Sequence, residues 1–442
     1  MRQAFRGLFW MGVYAAVCLA PLAVVGVGGR PPGHGWVDDF SVALGFAGLA
    51  VMVLQFALVA RFQHVAAPFG MDALLQFHRQ IGYAALAFIV AHPVLLFVRD
   101  PAKLALLNFV TAPNRARCAL AATVGLGVLV GTSVWRQRLR LSYEAWQLLH
   151  GVLAVAIVAL ALAHAALVGH YLGRPWQRAL WLVLSAALVG LLGWVRLVKP
   201  LVHYRRPWRV EEVVPERGSA WTLVLRPDGH PGFRFEPGQF GWVMVGRSPF
   251  ALTQHPFSFS SSAEAAGRLT LTIKARGDFT SSIAALKPGT RAYVDGPHGV
   301  FTTDRHEGPG FVLLAGGVGI TPLISMLRTM ADREDPRPAW LIYGNKDWES
   351  VTFREEIDAL AARLRLTVVH VLEKPPAGEP KWAGETGYVN AALLRRHLPP
   401  KQVGRLRYFI CGPGPMMDAV EHALVEVGVP DEHIHTERFE MV

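Results

Sequence analysis

Between residues 8 and 198 one pattern recurs six times: a long apolar stretch, then a connection rich in charge, Pro or Gly. The stretches cover about 8–28, 40–60, 73–98, 118–135, 144–168 and 178–198. Each is long enough for roughly 20 residues of helix across ~30 Å of hydrocarbon. In a bilayer core the backbone has no water to bond with, so such stretches must satisfy their own hydrogen bonds as helices. The expectation for residues 1–206 is an all-α bundle of six membrane-spanning helices. Met1–Gly29 has the basic start and apolar run of a secretory signal, but the run is long and more spans follow, so it reads as an uncleaved first helix.

Charge supports this division. Residues 1–206 carry 18 Lys and Arg against five acids (Asp38, Asp39, Asp72, Asp100, Glu144), a net +13; the remainder carries 26 against 28, a net −2. The basic excess lies in the connections between apolar stretches, which gives no ground for nucleic-acid binding. With a cytoplasmic N-terminus, Arg2, Arg6, Arg61, Arg136, Arg138, Arg140, Arg196, Lys199, Arg205 and Arg206 fall inside. Arg30, Arg99, Lys103, Arg115, Arg117, Arg174 and Arg178 fall outside, a modest positive-inside bias. Six spans return the chain to the cytoplasm. An integral protein of a bacterial inner membrane is expected, with the soluble half cytoplasmic. Cys18, Cys118 and Cys411 are too few and too scattered for a disulfide framework.

Two apolar stretches carry paired histidines at one spacing: His78 and His92, then His150 and His164, each fourteen residues apart (92 − 78 and 164 − 150). On a helix, fourteen residues fall roughly 40° short of four turns and rise ~21 Å, so both members share a face near opposite membrane surfaces. A single intramembrane histidine is ordinarily a packed or cavity-lining residue. Two same-face pairs with identical spacing point instead to His78 facing His150 and His92 facing His164. Paired neutral imidazoles are axial ligands for haem iron, so two stacked b-type haems are expected. His64 also precedes His78 by fourteen, but Arg61, Pro68 and Gly70 place it in a polar connection. His170, between Gly169 and Gly173, belongs to the far surface. Arg79 is placed to face a haem propionate or to reach lipid headgroups.

From about Pro207 the pattern changes. Short β-rich runs (Trp221–Leu225, Gly241–Val245, Leu269–Ala275) broken by Gly and Pro suit a small barrel. From Gly310, strand and helix alternate: Phe311–Ala315, Pro322–Ala331, Ala339–Tyr343, Phe353–Leu364, Leu366–Val371, Tyr408–Ile410 and Met416–Val427. That order reads as a doubly wound parallel α/β sheet. The expected domains are 1–206, 207–306 and 307–442.

Four motifs carry chemistry in this half. His255-Pro256-Phe257-Ser258 lies on the barrel, and Lys274-Ala275-Arg276-Gly277-Asp278-Phe279-Thr280 leads into a helix whose free N–H groups suit an anion. Strand Phe311–Ala315 runs into Gly316-Gly317-Val318-Gly319-Ile320-Thr321-Pro322, a Gly-rich turn and helix start in the right order for a pyrophosphate. Cys411-Gly412-Pro413-Gly414-Pro415-Met416 repeats that logic at a later strand end; Cys411 also reads as a small residue packed under its turn.

Taken in order, these motifs resemble the ferredoxin–NADP reductase family. Behind six spans with paired histidines, the whole chain is similar to the ferric reductase and NADPH oxidase superfamily. The resemblance implies FAD on the barrel, a nicotinamide coenzyme on the sheet and two b-type haems in the membrane. It puts Phe257 against the isoalloxazine with Pro256 beside it, and Ser258 near flavin N5. His255 and Thr280 would face the FAD phosphates, with Lys274 and Gly277 nearby. Gly316, Gly317, Gly319, Thr321 and Pro322 would hold the NAD(P) pyrophosphate. Cys411 would approach the nicotinamide, with Gly412, Pro413 and Met416 shaping its turn. Phe439, in Glu437-Arg438-Phe439-Glu440, matches the family's aromatic that covers the flavin until nicotinamide displaces it. Catalytic roles thus fall to Ser258, Cys411 and Phe439. The sequence shows no calcium-binding helix–loop–helix ahead of the first span and no Pro-rich tail, so no obligatory regulatory subunit is expected.

Electron counting fixes the expected mechanism. A nicotinamide gives a hydride, haem iron accepts one electron, and flavin converts between the two. Electrons would leave through the His92/His164 haem, at its edge, for an outer acceptor near Arg99, Arg115, Arg117 and His170. The first expectation is O2, giving superoxide. The alternatives are a ferric chelate, a quinone or a periplasmic redox partner. A haem-free flavin reductase and a haem-binding sensor are rivals that haem content and steady turnover would expose. For the coenzyme, Tyr343-Gly344-Asn345-Lys346-Asp347 reads as the turn after the second sheet strand. Lys346 or Arg354 would pair with a 2′-phosphate and Asp347 with a ribose hydroxyl. The reading favours NADPH with some NADH use.

Overall fold

The computed structural model describes residues 2–27, 35–66, 68–169, 174–251, 254–265, 267–377 and 382–439. His170 and Gly173 lie outside the described residues. The chain divides into two compact units, Met1–Pro200 and Leu201–Val442.

The first unit is helical: α1 (Arg2–Val27), α2 (Trp36–Leu58), α3 (Gln63–Ala66), α4 (Met71–Arg99), α5 (Asn114–Val134), α6 (Tyr143–Val168) and α7 (Pro175–Gly193). A π-turn over Trp194–Val198 joins α7 to α8 (Lys199–Tyr204). Six helical segments among the described residues are long and apolar enough to cross a membrane, the last running Pro175–Tyr204. The polar connection holding His64 forms the short α3, and Pro101–Leu107 forms a 3-10 turn after α4.

Small residues on α2 set the packing. A Cβ on Gly48 would stand 2.8 Å from the Ile89 side chain, and one on Gly45 would stand 3.2 Å from the His92 ring. Close approach of α2 and α4 therefore depends on these two glycines. Gly125 does the same for α5 and α6, where a Cβ would lie 3.1 Å from Ile157. Phe46, Leu49, Met52, Ala85, Leu126, Ile157 and Trp181 fill the interior. Ser142 caps α6 by accepting from Ala145 N–H at 3.2 Å, and Gly169 ends it in the left-handed conformation at φ 70°.

The second unit begins with an antiparallel sheet: β1 (Trp208–Glu216), β2 (Ala220–Pro227), β3 (Phe240–Val245), β4 (His255–Ser258), β5 (Leu269–Lys274) and β6 (Arg291–His298), with α9 (Asp278–Ser282) between β5 and β6. The order is β4-β3-β6-β1-β2-β5. Phe259, just past β4, bridges Leu271 of β5, so the two edges meet and the sheet curls into a barrel. Leu223, Leu225, Val243, Phe259, Leu271 and Ile283 fill it.

The parallel sheet follows: β7 (Phe311–Gly316), α10 (Ile320–Asp332), β8 (Ala339–Asp347), α11 (Arg354–Arg363), β9 (Leu366–Lys374), β10 (Glu385–Thr386), α12 (Ala391–His397), β11 (Arg407–Cys411), α13 (Gly414–Glu426) and β12 (Ile434–Glu437). Its order is β10-β9-β8-β7-β11-β12, and every pairing is parallel. The order reverses between β7 and β11, where a doubly wound sheet places its ligand crevice. β8 is longer than the sequence suggests. Pairing with β9 continues to Asp347↔Lys374, so Asn345, Lys346 and Asp347 extend the strand instead of forming a turn. Helix α10 ties barrel to sheet: Ser325 Oγ donates to the Ser261 carbonyl at 2.7 Å, and Arg328 donates to the Ser260 carbonyl while gripping Glu356 at 2.6 and 2.7 Å.

Candidate functional site

The four intramembrane histidines form two facing pairs. The ring centres of His78 and His150 lie 6.2 Å apart, and those of His92 and His164 lie 6.4 Å apart. Helices α4 and α6 thus meet at both levels, one fourteen-residue step apart. A metal–imidazole bond is about 2 Å and the ring centre lies roughly 1.1 Å behind the bonding nitrogen, so two imidazoles sharing one iron have centres ~6.2 Å apart. Both gaps suit an iron between the rings. Among the described residues no group of three or more His, Cys, Asp or Glu is arranged to hold a free metal ion. A porphyrin supplies four ligands of its own and needs only two from the protein.

The nitrogens turned away from the gaps decide which atom is left to bind metal. His92 Nδ1 donates to the Ser41 carbonyl at 2.8 Å, and His164 Nδ1 donates to the Arg115 carbonyl at 2.8 Å. His150 Nδ1 lies 3.2 Å from Ser133 Oγ, whose own proton goes to the Leu129 carbonyl at 2.7 Å. In these three residues the network assigns the proton to Nδ1 and leaves the Nε2 lone pair free, as ligation requires. His78 Nδ1 is buried with no hydrogen-bond partner among the described residues. Arg79 is exposed.

On the barrel, His255, Pro256 and Phe257 are partly buried and Ser258 is buried. The His255 ring stacks on Phe279 at 3.9 Å and 14°, and Phe257 lies 6.1 Å from Phe279, nearly parallel at 17°. Phe279 thereby joins the two motifs into one aromatic shelf. Sequence reading missed its role; an aromatic inside an anion-binding motif was the available signal. Thr280 Oγ1 accepts from Arg276 N–H and Gly277 N–H, both at 2.9 Å, so its hydroxyl closes the turn that starts α9. Lys274 and Gly277 are exposed beside it.

On the sheet, the Gly316–Pro322 and Cys411–Met416 turns interlock. β7 and β11 are neighbours with Ala315 opposite Cys411, so their following turns collide unless small. A Cβ on Gly319 would strike the Cys411 carbonyl, and one on Gly316 would strike Met416 Sδ and stand 2.9 Å from Pro413. Gly412 lies in the same contact, 3.1 Å from Gly316 when given a Cβ. Gly317 differs: its φ is +51° and its missing Cβ faces open space. It is the glycine a ligand backbone contact can use, whereas Gly316 and Gly319 are needed for packing. Thr321 is buried and donates to the Val318 carbonyl at 2.6 Å, and Pro322 sits in the first turn of α10. Tyr343 is fully buried and its hydroxyl donates to the Gly317 carbonyl at 3.0 Å, so it braces the turn from below. Burial pushes its phenol pKa up. Gly344 pairs with Gly316 across β8 and β7. Cys411 is fully buried at the end of β11. Glu437 pairs with Cys411, which brings exposed Phe439 to the same end of the sheet.

Sequence comparison divides the chain in the same order. Residues 44–197 match the ferric reductase like transmembrane component family, residues 222–300 an FAD-binding domain, and residues 313–422 the oxidoreductase NAD-binding domain. The chain has the ferric reductase/NADPH oxidase-like architecture. It is a membrane-linked, flavin- and NAD(P)-dependent electron-transfer oxidoreductase.

The reductase half of this ferric-reductase-like chain has curated relatives. It is 36% identical over 251 residues to the ferredoxin reductase component of 3-ketosteroid-9-alpha-monooxygenase from Mycolicibacterium smegmatis, covering 54% of this chain and 67% of that protein. It is 34% identical over 225 residues to ferredoxin--NADP reductase B of Sorangium cellulosum, covering 49% of this chain and 89% of that one. Among solved structures, the flavohem-like FAD/NAD binding domain of nitric oxide dioxygenase from Vibrio cholerae aligns at 22% identity with a TM-score of 0.47, over 53% of this chain and 98% of that one.

In this reductase half, the coenzyme-choosing candidates separate by exposure. Lys346 is exposed at the end of β8. Arg354 lies over the Trp348 ring at 4.5 Å and donates to the Trp348 carbonyl at 3.4 Å. Asp347 accepts from Ser350 N–H at 2.9 Å, so one carboxylate oxygen already caps a turn.

Proposed function

We propose that the protein moves electrons from NAD(P)H to an acceptor on the opposite side of a membrane, with O2 giving superoxide as the first acceptor and a ferric chelate as the second. The observation that carries this reading is the pair of 6.2 and 6.4 Å histidine gaps inside the segment matched to a ferric reductase transmembrane component. His78 with His150 and His92 with His164 would each hold one b-type haem. Residues 1–206, 207–306 and 307–442 would form the haem, FAD and NAD(P)H domains, the last two in the bacterial cytoplasm.

When bound, FAD and the haems supply the conversion of one hydride into two single electrons. The chain's residues provide the frame. Phe257 would lie against the flavin ring and His255, stacked on Phe279, would face the FAD phosphates. Ser258, buried on β4, would bond near flavin N5. Gly317, held by Tyr343, opens the sheet end to a pyrophosphate. Cys411 would face the nicotinamide and Phe439 would shield the flavin between turnovers. Exposed Lys346 favours a coenzyme with a 2′-phosphate, hence NADPH with some NADH use. Overall, one NAD(P)H gives a hydride, two O2 molecules become superoxide, and one proton remains.

The test is a visible spectrum of the detergent-purified protein, supplied with FAD and haem, during anaerobic NADPH addition. A haem b spectrum that reduces fully, then reoxidises in air with superoxide-dismutase-sensitive cytochrome c reduction, supports the O2 reading. Reduced haem that persists in air and discharges on a ferric chelate moves the acceptor to iron. A protein that takes up no haem overturns the four-histidine reading.

A further inference from the structure

The two histidine pairs are supported unequally by the groups behind them. Both members of the His92/His164 pair donate from Nδ1 to backbone carbonyls at 2.8 Å. A carbonyl is a strong acceptor fixed by the helix it belongs to. In the His78/His150 pair, His78 Nδ1 has no hydrogen-bond partner among the described residues. His150 has only the Ser133 hydroxyl at 3.2 Å, and that oxygen is shared: Trp146 Nε1 donates to it at 3.3 Å. Since the Ser133 proton goes to the Leu129 carbonyl, the hydroxyl oxygen serves two N–H donors and is a weak acceptor for either.

Donation from Nδ1 raises the electron density at Nε2, which stabilises ferric over ferrous iron and lowers its potential. The hydrogen bonds behind Nδ1 are the lever considered for the difference. Axial-ligand identity is the same, and all four histidines are partly buried.

Resting on the di-haem reading above, we infer that the haem held by His78 and His150 has the higher midpoint potential of the two, and that Ser133 and Trp146 set it. A half-reduced protein then keeps its electron at the His78/His150 level. Ser133 and Trp146 are positioning residues here, acting through His150.

A redox titration of the purified, haem-loaded full chain, followed by visible absorbance, tests this. Two one-electron components are expected. Ser133→Ala removes the acceptor and should shift only the higher component upward. Trp146→Phe removes the competing donor and should shift that same component downward. Opposite shifts from two variants are not a signature of general loosening. A single component, or a Ser133→Ala shift confined to the lower one, overturns the inference while leaving the haems in place. Absence of haem absorption overturns the di-haem reading instead, and this inference with it.

Discussion

Ser41 and His92 hold each other through two hydrogen bonds running in opposite directions: Ser41 Oγ donates to the His92 carbonyl at 2.7 Å, and His92 Nδ1 donates to the Ser41 carbonyl at 2.8 Å. About four turns further along α2, Gln55 Nε2 donates to the His78 carbonyl at 2.9 Å. Ser41 and Gln55 are themselves fourteen apart (55 − 41), so α2 repeats on its own face the spacing of the histidines it supports on α4. Ser41 is fully buried, which makes its hydroxyl a fixed part of the α2–α4 interface.

Ser41→Ala removes one of those bonds and the oxygen 3.0 Å from His92 Nδ1. The Nδ1 bond to the Ser41 carbonyl survives the change, so the effect should lie at or below the low end of the about 10–100-fold typical of lost partners behind metal-binding histidines. The expected outcome is weaker retention of the haem held by His92 and His164. Haem-to-protein ratio after gel filtration checks it, with retention of both haems at the wild-type ratio counting against the role.

Gly48→Leu should destabilise the helical unit without touching a histidine. Its first added carbon already stands 2.8 Å from Ile89, so α2 and α4 must separate. Overpacking of this kind costs about 1–3 kcal/mol. Thermal unfolding in detergent would show it as a lowered midpoint.

Much of this architecture was legible from residue patterns, and the losses have physical causes. The six spans and both histidine pairs could be read because helical periodicity makes fourteen residues a same-face repeat. The strand–turn–helix order at Gly316–Pro322 was legible for a similar local reason. The partners behind the histidines were not. Ser41 lies 51 positions from His92, and for His164 the acceptor is the backbone carbonyl of Arg115, which has no side-chain signature. Nor could the sequence distinguish Gly317, open to solvent, from Gly319, pressed on Cys411, because that difference arises only when β7 and β11 become neighbours. The end of β8 was misread as a turn because Gly344 and Asn345 are ordinary turn residues, and continued pairing with β9 overrides that preference.

The two glycines predict opposite kinds of defect. Gly319→Ala drives a carbon into the Cys411 backbone, which cannot rotate away, so the expected result is a folding defect with little soluble protein or a markedly lower melting point. Gly317→Ala has room and meets only the cost of a left-handed backbone, about 1–2 kcal/mol. It should fold and raise KM for the coenzyme more than it lowers kcat. Equal behaviour of the two variants would contradict this assignment.

Coenzyme preference should respond to Lys346 and not to Asp347. Lys346→Ser is expected to raise KM for NADPH severalfold and leave KM for NADH unchanged, since NADH lacks the 2′-phosphate. Arg354→Ala should instead weaken both, because Arg354 is folded onto Trp348 and supports that loop. Steady-state kinetics with the two coenzymes distinguish these patterns.

Acid sensitivity is expected from a histidine stack outside the proposed cofactor sites. The rings of His306 and His435 lie 3.7 Å apart against Phe409. Burial, then neighbouring His306, Arg407 and His433, lower the His435 pKa to about 3. Burial, then Arg407 and Arg305, lower that of His306. The unfolded chain binds these protons near pH 6.5, whereas the folded chain resists them. Between those values the unfolded state holds more protons, so stability rises with pH: it is full above about 6.5 and falls as pH drops toward the folded values. Because β12 carries His435 and leads to Phe439, loss at this edge loosens the tail as well. Melting curves of the full chain at about pH 7.5 and about pH 5.5 should differ, and His435→Phe should shrink the difference. A variant with an unchanged pH dependence would place the acid-labile groups elsewhere.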